Sequence, residues 1–367
     1  MSVRDWLSST ALTPIGLDIG ARTIKAVQLR QRGPGVPPAI HAVARCPRPD
    51  NAPPLPSAEE FAHLGEILAR RGFAGRRIVL AVPSAMQSVV PLQLPQRSPG
   101  TPIDEIAHAQ AADALRADAE ALQLAWWPLP QPPRRAGPSK PGASGPTTSA
   151  ALGVAARTAD VTALIDAAEL AGFEPVAVDA HALALARALG EHLAPAPAIT
   201  AIVDLGQNAA EIVLLAERTV VYQRTLPELG LFDTRRQLIE AVDGDEEAAD
   251  YLLATVGFAG PSPHPALIAQ LEGLVESITR ELRVSLAYAD GQLGQAENAR
   301  VLVVGGGADI PGLPDRLAAA LPETALTRLS LADLFEHTAA GQDVNGAAGV
   351  AAAGLALHTE PEGAPAC

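Results

Sequence analysis

The chain has 367 residues and a formal net charge of −14; 48% of it is apolar and only 3% aromatic. That charge argues against a general nucleic-acid binder, which needs a basic face to neutralise phosphates, and two distant cysteines, Cys46 and Cys367, argue against a disulfide framework or a Cys-rich metal site. No signal-peptide pattern and no run of about 18 apolar residues occurs, so a cytoplasmic protein without direct membrane insertion is expected.

Residues 1–13 read as an N-terminal arm. Two apolar runs, 15–19 and 24–30, read as strands joined by a turn at Gly20 to Thr23. "AIHAVARCP" and "RRIVLAVPS" read as further strands. Between them, Ser57 as a cap, Glu59 and Glu60 in the first turn and Gly72 as a stop predict a helix. "SVVPLQLP" reads as an edge strand, because Pro91 has no N–H for a ladder bond. A second helix follows, with Thr101 as the expected cap and Pro102 in its first turn.

The stretch 128–149 is rich in Pro, Gly and Ser and predicts a flexible loop. After it, "ALGVAARTADVTALIDAAELAGFEPVAVDAHALALARAL" alternates strand, helix, strand, helix. Three strands fill "ITAIVDLGQNAAEIVLLAERTVVYQRTL", and helices are expected over much of 231–256 and 265–290. "VLVVGGGADIPGL" is a buried strand followed by glycines, and a small-residue helix closes the pattern.

One design occurs twice. "LDIGARTIKAVQL" aligns with "VDLGQNAAEIVLL", so Asp18 falls on Asp204 and Gly20 on Gly206, about half the chain apart. A carboxylate at the end of a buried strand is costly unless something pairs with it. If the two halves face each other, their turns converge on one cleft. Backbone N–H groups in such turns suit phosphate oxygens, and two carboxylates can hold a hydrated Mg²⁺ on them. Gly305, Gly306 and Gly307 would let the backbone lie flat against a planar base.

The ordered set of hairpin, hairpin and apolar strand with three glycines resembles the actin-like ATPase superfamily of actin, hexokinases, heat-shock chaperones and FtsA. In detail it is similar to the PilM proteins of type IV pilus assembly, most of all in the Ala-Gly-x-x-Pro-Val-Ala-Val-Asp segment ending at Asp179. The resemblance implies an α/β, bilobed actin-like ATPase fold, ribonuclease H-like and duplicated, with an inserted small α/β subdomain. It implies a first domain over 14–190 and a partner-binding insertion at about 36–127. A second domain would span 191–340, a C-terminal helix at 341–358 would pack back on the first, and 359–367 would be a disordered tail.

By the same resemblance, ATP or ADP with Mg²⁺ is the expected cofactor. Its site would comprise Asp18, Gly20, Ala21, Arg22, Thr23 and Lys25 from the first hairpin. Asp204, Gly206 and Gln207 would come from the second, with Gly305, Gly306 and Gly307 on the adenine side; Asp18 and Asp204 would hold Mg²⁺ through water. The expected partners are the cytoplasmic N-terminal tail of a PilN-like inner-membrane protein and other pilus assembly components, which would make the chain peripheral to that membrane. Alternatives are a GspL-like component of type II secretion, or a degenerate pseudo-ATPase or kinase of the same fold.

The sequence departs from the family at an Ala-Glu-x-x-Lys helix near the nucleoside: Ala249 and Leu252 stand where Glu and Lys are expected. That predicts weak nucleotide binding. No base for hydrolysis can be named, so at most a slow ATPase is expected. His181 reads as structural, Cys46 as an incidental thiol, and Trp126 and Trp127 as local packing more readily than a partner anchor.

Overall fold

The computed structural model describes residues 11–33, 35–49, 51–96, 98, 100–130, 148–190, 199–261, 263–293, 299–337 and 342–359. Nearly all of the expected arm and tail, and most of the Pro-rich loop, lie outside these residues.

β1 (Ile15–Ile19) and β2 (Thr23–Arg30) form the first hairpin. β2 also pairs antiparallel with β3 (Ala39–Pro47), while β1 pairs parallel with β4 (Arg77–Ala81) and β4 with β8 (Glu174–Asp179). The second sheet repeats this order. β9 (Ile199–Leu205), β10 (Ala210–Ala216) and β11 (Thr219–Leu226) are antiparallel neighbours, and β12 (Arg300–Val304) and β13 (Ala325–Arg328) continue in parallel from β9. The strands read as near-continuous apolar runs because both faces of each sheet are covered.

Alternation along the strands sorts side chains into layers. In the second sheet, Ala201, Val203 and Leu214 face a core built with α5 (Leu231–Val242), α7 (Pro265–Leu293) and α8 (Leu313–Ala320). Ile202, Val213 and Leu215 face the other way, onto α4 (His181–Ala188) and the last helix, α9 (Val350–Ala356). Val27 and Leu29 of the first sheet reach the same central layer, while Leu17 and Ile19 pack outward on α1 (Ala58–Arg70) and α3 (Thr158–Leu170). Two sheets thus sandwich α4 and α9.

The fit in that layer depends on two glycines. A Cβ at Gly354 would collide with the carbonyl oxygen of Ala184, and one at Gly16 with that of Ala352. Asp179, at the end of β8, ties the layer down. It accepts from Arg187 Nη2 at 2.7 Å, while Arg187 Nη1 donates to the Gly354 carbonyl at 2.7 Å. His358 Nδ1 lies 3.3 Å from the same carboxylate.

A separate sheet of order β5-β7-β6 joins β5 (Ser88–Pro95), β6 (Leu122–Pro128) and β7 (Thr148–Arg157), with α2 (Ile103–Leu115) packed on it. This differs from an insertion at about 36–127. β3 and β4 belong to the first large sheet because their apolar residues pair with β2 and β1. β5 is an edge strand, as Pro91 requires. Ser57 caps α1 by accepting from the Glu60 N–H at 3.2 Å. Thr101 does not cap α2; its hydroxyl meets Ser98 Oγ at 2.5 Å instead. Trp126 and Trp127 sit on β6 and are held within the molecule, Trp126 Nε1 donating to Asp104 at 2.9 Å and Trp127 Nε1 to the Val220 carbonyl at 2.7 Å.

Candidate functional site

The two hairpin turns close alike. The Gly20 N–H donates to the Thr23 carbonyl at 3.0 Å and the Gly206 N–H to the Ala209 carbonyl at 3.1 Å. Neither glycine has room for a side chain: a Cβ would lie 2.6 Å from Lys25 Nζ in the first turn and 2.7 Å from the Ala209 oxygen in the second. Both turns face one cleft of about 570 Å³. Asp18, Gly20, Ala21, Arg22, Thr23 and Lys25 line it from one side, and Asp204, Gly206, Gln207, Gly305 and Gly306 from the other.

Gly305, with φ of +85°, turns β12 past the Asp204 carboxylate, where a Cβ would strike it. Gly306 faces open space. Gly307 does not line the cleft. It is a packing glycine, whose Cβ would lie 2.6 Å from that of Leu205. Gln207 carries a buried Nε2 with no hydrogen-bond partner in the protein.

A second cavity of about 920 Å³ adjoins the cleft and shares Arg45, Gln207, Leu231 and Gly306 with it. It also takes in Arg235, Asp250, Leu253 and Ala254, but neither Ala249 nor Leu252. The chain after α6 (Glu246–Tyr251) runs into a wider π-type turn at Leu252–Val256. Ala249 is fully buried in the second core, with Leu252 packed against it. The sequence alignment at these two positions therefore does not identify pocket residues, and the charged groups on this wall are Arg235 and Asp250. Arg235 Nε donates to Asp250 at 2.7 Å, and Arg22 reaches Asp250 from across the cleft. Burial raises the Asp250 carboxyl, but the hydrogen bonds from Arg235 and Arg22 outweigh it and hold the group below its ordinary value.

The strand register decides the electrostatics. Lys25 lies opposite Asp18 in the first hairpin, and Glu211 lies opposite Asp204 in the second. Lys25 Nζ contacts Asp18 at 3.0 Å. The second pair has like charges, and His181, at the start of α4, stands between them: Nδ1 is 2.7 Å from Glu211 and Nε2 is 3.3 Å from Asp204. Gln223 Nε2 donates to the other Glu211 oxygen. Burial opposes a charged His181, but Glu211, Asp204 and Asp18 overcome it and raise the ring to about 10. Burial pushes Asp204 up to about 6, with His181 pulling the other way. Burial also raises Asp18, yet Lys25 and His181 leave it below its ordinary value.

This donor set does not fit a hydrated Mg²⁺ shared by Asp18 and Asp204. Each carboxylate already has a protein cation within 3.0–3.3 Å. Among the described residues no group of three or more His, Cys, Asp or Glu is arranged to hold a metal ion. His181 and Glu211 are the site residues missed by sequence reasoning. Glu211 was within reach, since it aligns with Lys25 in the repeat; His181 has no counterpart in either hairpin and enters the cleft only through the fold. Cys46 is buried, and burial pushes its thiol up to about 11, which suits an unreactive side chain.

Comparison with known proteins gives a consistent picture. A family model described as type IV pilus assembly protein PilM matches residues 139–360. A solved structure described as a PilM-PilN type IV pilus biogenesis complex is 23% identical over 94% of this chain and 98% of that one, with a TM-score of 0.77. The ethanolamine utilization protein EutJ from Carboxydothermus hydrogenoformans is 15% identical over 95% of this chain and 89% of that one, with a TM-score of 0.52. At these identities the likeness is one of fold. A comparison with curated proteins finds no match. With a duplicated, bilobed actin-like α/β fold and a family match over more than half its length, the chain belongs to the type IV pilus assembly protein PilM family.

Proposed function

We propose that this chain is a scaffold of type IV pilus assembly whose cleft takes ATP or ADP as a conformational ligand. The observation that carries the reading is the convergence of two equivalent hairpin turns on one cleft, with the open glycine Gly306 and the unpartnered Gln207 Nε2 on its far wall. Turn N–H groups suit phosphates, and the larger adjoining cavity suits a nucleoside. Asp18 and Asp204 are both engaged by protein cations, which disfavours either as a base for hydrolysis. Slow or negligible turnover follows.

The proposed partner is the cytoplasmic N-terminal tail of a PilN-like inner-membrane protein, lying as an extended peptide beside the small β5-β7-β6 sheet. Such a partner would make the chain peripheral to the membrane. Among the described residues no helix is long and apolar enough to cross one.

Calorimetry with ADP and ATP tests the site. Gly306→Leu places a side chain in open space at the cleft, so the fold is retained and binding is expected to fall at least tenfold. Unchanged binding by the folded variant would remove the cleft as the site. Fractionation with and without the partner tests docking: equal membrane association in both would sink it.

A further inference from the structure

The two hairpins are copies in backbone but not in charge. In the first, Asp18 faces Lys25 and the pair is neutral. In the second, Asp204 faces Glu211 across adjacent strands, a like-charge pair in which Glu211 is buried and Asp204 partly so. Like charges directly opposite destabilise a sheet, and burying them unpaired costs far more. A cation is required there, and the chain supplies one. His181 comes from a different element, α4, and turns one ring nitrogen to each carboxylate, at 2.7 Å and 3.3 Å. Nδ1 is hydrogen-bonded to Glu211 and Nε2 stands within ion-pair distance of Asp204, so a ring protonated at both nitrogens would face an acceptor on each side.

We infer that His181 takes the place of a divalent cation in this cleft, so that Asp18 and Asp204 do not recruit Mg²⁺. With Lys25 on Asp18 and His181 on Asp204, a metal ion arriving there meets two carboxylates whose charge is already matched. On the nucleotide reading proposed above, on which this second consequence rests, the phosphates enter without metal. The counter-charge on the cleft wall is Arg45, the cross-strand neighbour of Lys25, since Lys25 and Arg22 are engaged by Asp18 and Asp250.

Two measurements on the full chain test this. First, Mn²⁺ is titrated without nucleotide and free ion is followed by electron paramagnetic resonance. The unaltered protein is expected to show no saturable site in the cleft, and His181→Glu and His181→Gln to gain one that Asp204→Asn removes. A site in the unaltered protein that is lost in Asp204→Asn overturns the inference. So does a failure of both folded variants to gain one, because removing the imidazolium would then have opened nothing. Circular dichroism establishes which variants are folded. If neither is, the unaltered protein and Asp204→Asn still decide the matter.

Second, ADP binding is measured in Mg²⁺ and in EDTA. Affinities within about threefold support metal-free entry, and a loss of tenfold or more in EDTA overturns it. No ADP binding under either condition sinks the nucleotide reading alone; the Mn²⁺ titration then decides the place of His181.

Discussion

Arg22 in the first hairpin turn and Asp250 at the end of α6 meet across the mouth of the cleft through two parallel bonds of 3.0 Å each. The two side chains belong to opposite halves of the molecule, so this contact reports whether the cleft is closed. Both are about 40% exposed, and an ion pair that wet contributes under about 1 kcal/mol. Arg22→Ala is expected to cost no more than that in a urea titration, while amide exchange rises around residues 20–23. Asp250→Ala should cost more, about 1–3 kcal/mol, because the buried Arg235 loses its main partner. Equal losses in the two variants would contradict this hierarchy.

Ala249→Glu separates sequence alignment from structure. Its side chain has no access to the cavity and would enter the second core. The expected result is a destabilisation of roughly 3 kcal/mol or more from a buried, unpaired carboxyl, with no gain in nucleotide affinity. Tighter ADP binding by a stable Ala249→Glu, Leu252→Lys protein would show that these two positions reach the nucleotide.

Gly354→Ala adds one methyl group where the helix α9 meets the Ala184 carbonyl. Overpacking of a well-filled layer costs about 1–3 kcal/mol or more. Gly273, on the open side of α7, is the control, because a Cβ there meets nothing within 4 Å. Gly273→Ala should be neutral or stabilising, since alanine is the better helix former by about 1 kcal/mol. Chemical denaturation of both variants makes the comparison.

Asp179→Ala should show a pH-dependent loss. Burial raises this carboxyl, but His358 and Arg187, with the Ala180 N–H, outweigh it and hold it below its ordinary value of 3.8. A carboxylate with a lowered pKa stabilises the fold above its unfolded value, and that contribution disappears as pH falls through the folded value. The gap between the unaltered protein and Asp179→Ala is therefore expected to be full at neutral pH and to narrow below about pH 4. A gap constant from pH 7 to 3 would mean that the variant acts through packing alone.

The repeat made the fold readable. Asp18 with Gly20 and Asp204 with Gly206 mark two strand ends of one design, and the apolar runs around them report sheets covered on both faces. The cleft followed from that symmetry. Boundaries inside the first half were harder, because β3 and β4 look like any short strands until their partners are known. β6 is not legible as a strand: Trp126 and Trp127 read as local packing, as their internally bonded indoles show, but nothing in the run marks its strand partner β7. The charge pattern was half visible: Lys25 and Glu211 occupy equal places in the repeat, but nothing local places His181 between Glu211 and Asp204. At Ala249, a one-dimensional alignment failed because the face of α6 that is buried is set by the core it packs on, and that face carries Ala249.

The last helix has a consequence for the order in which the molecule can be made. Every residue of α9 is buried, and it lies between a sheet begun at Ile15 and one begun at Ile199. β1 and β2 are synthesised well before α9, so their inner face waits for it to be covered. Until then Val27 and Leu29 have lost their seat against Ala352 and Ala353, and the nascent first half carries an open apolar surface. The two halves resemble each other as copies, yet neither is a self-sufficient folding unit. α9 acts as the keystone of strands laid down more than 300 residues earlier, and a stop before Val350 leaves both sheets with part of the inner face uncovered, beside α4 alone.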